Sequence, residues 1–97
     1  IINFFIFMKR IRILIVGKVI SIFFRAFIKE NAEQLGLTGW VRNTKDGSVE
    51  AVFEGQEQSI EKIIRLCKKG PPLARIDDIK ITEEKPENKF TSFNIVY

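Results

Sequence analysis

The stretch Leu37-Thr38-Gly39-Trp40-Val41-Arg42-Asn43-Thr44-Lys45-Asp46-Gly47-Ser48-Val49-Glu50-Ala51-Val52-Phe53-Glu54-Gly55 decides the architecture. Asp46-Gly47 is a strong hairpin-turn signal. Before it, Leu37 to Asn43 reads as a strand with Leu37, Gly39 and Val41 on one face. After it, Ser48 to Glu54 reads as the returning strand. Val49, Ala51 and Phe53 should point inward, and Ser48, Glu50 and Glu54 outward. Gly55 should end it.

Working outward, this hairpin is flanked on each side by a helix and then a strand. Upstream, Phe24, Ile28, Ala32 and Leu35 fall at helical spacing, and Gly36 suits the left-handed residue that ends a helix. Before that helix, Arg10 to Gly17 holds the apolar run Ile13-Leu14-Ile15-Val16, typical of a central strand. Downstream, Glu57 to Lys68 sets Ile60, Ile63, Ile64 and Cys67 on one helical face. Lys68 and Lys69 suit the negative end of its dipole, and Gly70-Pro71-Pro72 breaks it. Ile76 to Glu84 reads as a strand with Ile79 and Ile81 inward. Lys85 to Lys89 is a polar loop, and Phe90 to Tyr97 is a last strand with Phe93, Ile95 and Tyr97 alternating. The order β-α-β-β-α-β, plus a short final strand, predicts an α+β fold: a ferredoxin-like α/β sandwich, antiparallel sheet, two helices on one face.

The bulk composition agrees. The 97 residues, 45% hydrophobic and 29% charged, fit one domain with one modest core. Residues 8–97 are read as that domain. Residues 1–7 are read as an N-terminal extension, most simply a misassigned start upstream of a natural beginning at Met8, otherwise a short strand or arm. Their seven-residue apolar run is too short to span a membrane, which takes about 20 residues, and its charge order is wrong for a signal peptide. With one cysteine, Cys67, no intrachain disulfide can form. A cytoplasmic protein is therefore expected. With no histidine and a single cysteine, a zinc site is nearly excluded and a histidine-dependent nucleophile is excluded. The net charge is +4, and Lys9, Arg10, Arg12, Lys18, Arg25 and Lys29 all precede Glu30. Such a field draws anions, or is an ordinary solvated face.

The candidate chemistry lies in Gly17-Lys18-Val19-Ile20-Ser21-Ile22-Phe23-Phe24-Arg25. A loop running from a strand into a helix gathers backbone N–H groups at the positive end of the helix dipole, which makes an anion cradle. Lys18 to Phe24 would form that cradle. Arg25, expected in the first helical turn, has a planar fork that can hold two phosphate oxygens. Its alternative is a surface salt bridge with Glu50 or Asp46. Asn43, at a strand end, has a carboxamide that can hold a water, or it is simply a turn-forming asparagine.

These motifs resemble those of the acylphosphatase family: Gly-Arg-Val-Gln-Gly-Val-x-Phe-Arg, then Gly-Leu-x-Gly-Trp-Val-Arg-Asn, then Asp-Gly-x-Val-Glu-Ala. Here they stand as Gly17 to Arg25, Gly36 to Asn43, and Asp46 to Ala51, with the likeness reaching Phe93, Ile95 and Tyr97. The resemblance implies hydrolysis of the carboxyl–phosphate bond of acyl phosphates without cofactor. It implies that Arg25 and the amides of Lys18, Val19, Ile20, Ser21, Ile22, Phe23 and Phe24 bind phosphate, and that Asn43 orients the attacking water. Ile20-Ser21 stands where the family has Gln-Gly, which predicts weakened activity; the alternative is an inactive anion-binding domain of the same fold. RNA-recognition modules share the topology, but the chain lacks their Lys/Arg-Gly-Phe/Tyr-Gly/Ala-Phe-Val motif. The expected partner is a small acyl phosphate, with no nucleic acid or membrane, and the chain is expected to be a monomer.

Overall fold

In the central strand β1 (Met8–Lys18), Ile11, Ile13 and Ile15 alternate into the interior and are almost completely buried. In this computed structural model, residues 8–18 and 21–97 are described, apart from the side chains of Ser21 and Ile22. The expectations about residues 1–7 fall outside them. After β1 come α1 (Ser21–Gln34), β2 (Thr38–Asn43), β3 (Val49–Gln56), α2 (Glu57–Lys69), β4 (Arg75–Glu84) and β5 (Phe93–Val96). The five strands form one sheet in the order β4-β1-β3-β2-β5. Both helices cover one face, α1 over β2 and β5 and α2 over β1 and β3.

The ferredoxin-like arrangement is as expected, with one addition. Pairing is antiparallel in the four-stranded part, but β5 runs parallel to β2, so the sheet is mixed. The core between helices and sheet joins Phe24, Ile28 and Ala32 of α1, Ile60, Ile63 and Cys67 of α2, and Val41, Ala51, Phe53 and Phe93 of the sheet. Phe53 and Phe93 stack with centroids 5.3 Å apart. At about 25 cal/mol per Å² of apolar area removed from water, such side chains supply the main favourable term of folding.

Several side chains depart from the expected pattern. Ile81 does share the inward face with Ile79, but β4 is an edge strand, and Ile81 remains 40% exposed. Glu54 was expected outward and is instead 1% exposed. It lies on the sheet face away from the helices, where the segment before β5 folds over it. Its carboxylate accepts the backbone N–H groups of Glu87 and Asn88 at 2.9 and 2.8 Å, and Arg10 lies 3.7 Å away. Ser48, also expected outward, is buried in the hairpin turn, where its N–H donates to Thr44 Oγ1 and Asp46 Oδ1. Gly55 does not end β3 but pairs with Lys9 inside it.

Two glycines permit close backbone approaches. Gly39, at φ 137°, lies so near the Val52 carbonyl that a Cβ would collide with it. Gly17, at φ 155°, sits at an irregularity in the β1–β4 pairing, and a Cβ there would strike the Arg75 carbonyl. The end of β1 is thereby held directly against the start of β4.

Candidate active site

Helix α1 begins earlier than expected. Ser21, Ile22, Phe23 and Phe24 belong to α1, which opens at Ser21, so Arg25 is the fifth helical residue rather than a member of the first turn. Lys18 is the exposed last residue of β1. Val19 and Ile20, and the side chains of Ser21 and Ile22, lie outside the described residues. Phe23 is exposed, and Phe24 is fully buried in the core.

The first turn of α1 carries no acidic residue. No acidic side chain of that turn therefore offsets the dipole, which amounts to about half a positive charge at a helix start. In α2 the corresponding turn carries Glu57.

Arg25 is only 8% exposed, and its guanidinium lies 4.9 Å from the centre of the Tyr97 ring. Glu50 and Asp46, the acids named above as its alternative partners, each have other partners among the described residues. Glu50 accepts from Arg12 and Arg42, while Asp46 accepts from Thr44 and from the Ser48 N–H. Arg25 shares the sheet-facing side of α1 with Phe24, Ile28 and Ala32.

Asn43 ends β2, opposite Val49, on the same strand face as Gly39 and Val41, which is the face α1 covers. The turn after it is tied down: the Thr44 N–H donates to the Ser48 carbonyl at 2.9 Å. The amide oxygen Oδ1 of Asn43 is buried and has no hydrogen-bond partner among the described residues. Leaving a buried acceptor unsatisfied costs about 1–3 kcal/mol. Most buried acceptors in folded proteins are satisfied, so this oxygen sets Asn43 apart from an ordinary turn asparagine.

Topology brings these groups to one end of the molecule. Helix α1 starts beside the end of β1 and runs back to the beginning of β2. The end of β2 therefore returns to the level of the α1 N-terminus. Because β5 is parallel to β2, its last residues arrive there too, which is how Tyr97 meets Arg25. That stacking partner was not foreseen from the sequence; the aromatic was read only as part of strand alternation. Among the described residues, no cluster of three or more Cys, Asp or Glu could hold a metal ion.

The basic N-terminal third is largely neutralised. Arg10 and Arg12 both donate to Glu84, at 2.9 and 2.8 Å, and Arg12 also reaches Glu50 at 2.9 Å. These pairs hold Glu84 below the usual carboxylate range, through the hydrogen bonds of Arg12 and then Arg10. Burial pushes Glu50 upward, but the Arg42 and Arg12 hydrogen bonds outweigh it and leave the carboxyl lowered.

Comparison with known proteins adds independent findings. The acylphosphatase family profile matches residues 11–95. The chain is 48% identical to an acylphosphatase of Aeropyrum pernix, over 91% of this chain and 88% of the relative. It is 42% identical to one from Methylococcus capsulatus, over 92% and 97% respectively. The crystal structure of the acylphosphatase from Bacillus subtilis superposes with a TM-score of 0.87 at 35% identity, covering 92% of this chain and 99% of that one.

Proposed function

The chain belongs to the acylphosphatase family and is a hydrolase acting on acyl phosphates, and from that premise we propose that Arg25, Asn43 and the backbone amides between β1 and the first turn of α1 carry the reaction. The observation that carries this reading is the buried, unpartnered Asn43 Oδ1 at the end of the molecule where the acid-free start of α1 lies.

The phosphoryl group sits at the α1 N-terminus, its oxygens held by amides of the segment Lys18–Phe24 and by the Arg25 fork. A water donates one hydrogen bond to Asn43 Oδ1, which aims its lone pair at phosphorus. The water oxygen forms the new P–O bond while the P–O bond to the acyl carbon's oxygen breaks in line with it. The electron pair leaves with the carboxylate. A carboxylate is a good leaving group, so the water's proton passes to a phosphoryl oxygen and no strong protein base is needed. The products are a carboxylate and inorganic phosphate. Catalysis of this kind consists of positioning and of charge stabilisation by preset dipoles.

Phosphate release from acetyl phosphate and benzoyl phosphate by the purified protein tests the reading, with Arg25→Gln as control. The expected result is turnover by the wild type and a loss of at least about a hundredfold in the variant, as for removal of one such donor. A wild type as inert as Arg25→Gln overturns it. Ile20-Ser21, in place of the family's Gln-Gly, belongs to the same proposal as the cause of reduced turnover. Ile20→Gln with Ser21→Gly should raise kcat; no gain removes that part alone.

A further inference from the structure

A groove of about 470 Å³ runs along α1 on the side away from the sheet. One wall is the stripe Phe23, Ala26, Phe27 and Glu30, at i, i+3, i+4 and i+7. The other wall is the segment after α2, with Pro71, Pro72 and Leu73. Phe23 is 68% exposed and Leu73 88% exposed, which is unusual for large apolar side chains. Leu73 is held there at φ 74°, a conformation a leucine adopts at a steric cost. The contact of Gly17 with the Arg75 carbonyl fixes this second wall against the end of β1, so the groove opens beside the α1 N-terminus.

We infer that this groove seats the acyl group of the substrate, and that it selects uncharged aromatic or branched aliphatic acyl phosphates over acetyl phosphate. The inference rests on the proposed reaction site. In-line displacement needs the attacking and leaving oxygens on opposite sides of phosphorus. Asn43 lies on the sheet side of α1, with the buried stripe Phe24, Arg25, Ile28 and Ala32. At 100° per residue, the stripe Phe23, Ala26, Phe27 and Glu30 lies about half a turn away from it. A water held by Asn43 therefore expels the carboxylate towards the groove. The groove's volume is in the range of small-molecule sites, and its lining is mostly apolar. Glu30, its one ionisable lining residue, sets a like charge against any acyl group that ends in a carboxylate.

The test uses non-hydrolysable acylphosphonates bound to the full chain and measured by calorimetry. Benzoylphosphonate should bind at least about tenfold more tightly than acetylphosphonate, the discrimination that added apolar groups bring in a hydrophobic pocket. Two variants address the walls separately. Ala26→Trp fills the groove, and Leu73→Asn removes an apolar wall with a residue that tolerates the same backbone. Each should bring the affinity ratio towards parity, and acetylphosphonate binding in each reports whether the anion seat is intact. Parity in the wild type, or an undiminished ratio in both variants, overturns the inference. A wild type that keeps the benzoyl preference but releases no phosphate from acyl phosphates sinks the hydrolytic reading and leaves the groove. Turnover without acyl preference does the reverse.

Discussion

Arg25 and Asn43 look unremarkable one at a time, since a basic residue near a helix start and an asparagine before a turn are both common. Their environments separate them from that background. Arg25 is largely buried with its guanidinium over the Tyr97 ring, and Asn43 presents an amide oxygen that nothing in the described chain satisfies. In the proposed reaction, replacing Asn43 with alanine removes the group that aims the water but leaves the phosphate seat. Steady-state kinetics should show kcat falling about 10²–10³-fold with KM changed much less. Arg25→Lys keeps the charge and loses the fork, so kcat/KM should fall at least about tenfold. A lysine variant with wild-type kinetics would mean that charge alone suffices at this position.

At the scale of elements, the pairing of β2 with β3 is what delivers Asn43, and Gly39 is what lets those strands approach. A Cβ at Gly39 collides with backbone, the Val52 carbonyl, which cannot swing away as a side-chain tip could. Gly39→Ala should therefore destabilise the fold by about 3 kcal/mol or more, read from the urea midpoint. Helix α2 plays no part in the proposed chemistry and serves to close the core. Its Cys67 is fully buried, and burial pushes the thiol up to about 12. Since the thiolate is the reactive form, the native protein should resist alkylation at neutral pH and react quickly once unfolded in urea. Rapid labelling of the folded protein would show that α2 opens readily. The reading of α2 from its apolar spacing agrees with the structure to within one residue, whereas α1 starts three residues earlier than expected. The apolar periodicity of α1 becomes visible only at Phe24, the first of its core residues, because Phe23 before it lies on the exposed side of the helix.

Across the whole molecule, the sheet face not covered by helices carries an ion-pair ladder. It runs from Glu84 on β4, through Arg10 and Arg12 on β1, to Glu50 on β3 and Arg42 on β2. Trp40 lies within reach of two guanidinium groups, at 5.5 Å from Arg12 and 5.6 Å from Arg42. Because Glu84 and Glu50 are held below their ordinary values in the folded state, the unfolded chain takes up protons first as pH falls. Their contribution is fully present above the unfolded carboxylate range, near pH 4.5, and is lost as pH drops through the lowered folded values. The urea midpoint should fall below about pH 4.5, and Glu84→Gln should both lower it at pH 7 and flatten that acid limb. Glu54 acts at the same scale by tying the segment before β5 to the back of the sheet. Glu54→Ala leaves two backbone N–H groups without their carboxylate, while Arg10 keeps Glu84, and should cost about 3 kcal/mol by urea denaturation. A loss below about 1 kcal/mol would show that the segment is held by other contacts.

The order of elements, the hairpin at Asp46-Gly47, and the faces of Val49, Ala51 and Phe53 were all determined by the sequence alone. Periodicities of two and 3.6 residues, together with glycine and asparagine chemistry, are local properties that a linear chain states openly. Tertiary structure decided the rest. It set β5 parallel to β2, buried Glu54 under residues more than thirty positions away, and stacked Tyr97 on Arg25. It also set the apolar stripe at Phe23 against Leu73 to make a groove. Alternation tells which way a side chain points, but what covers it depends on segments distant along the chain, and only the folded pairing brings those together.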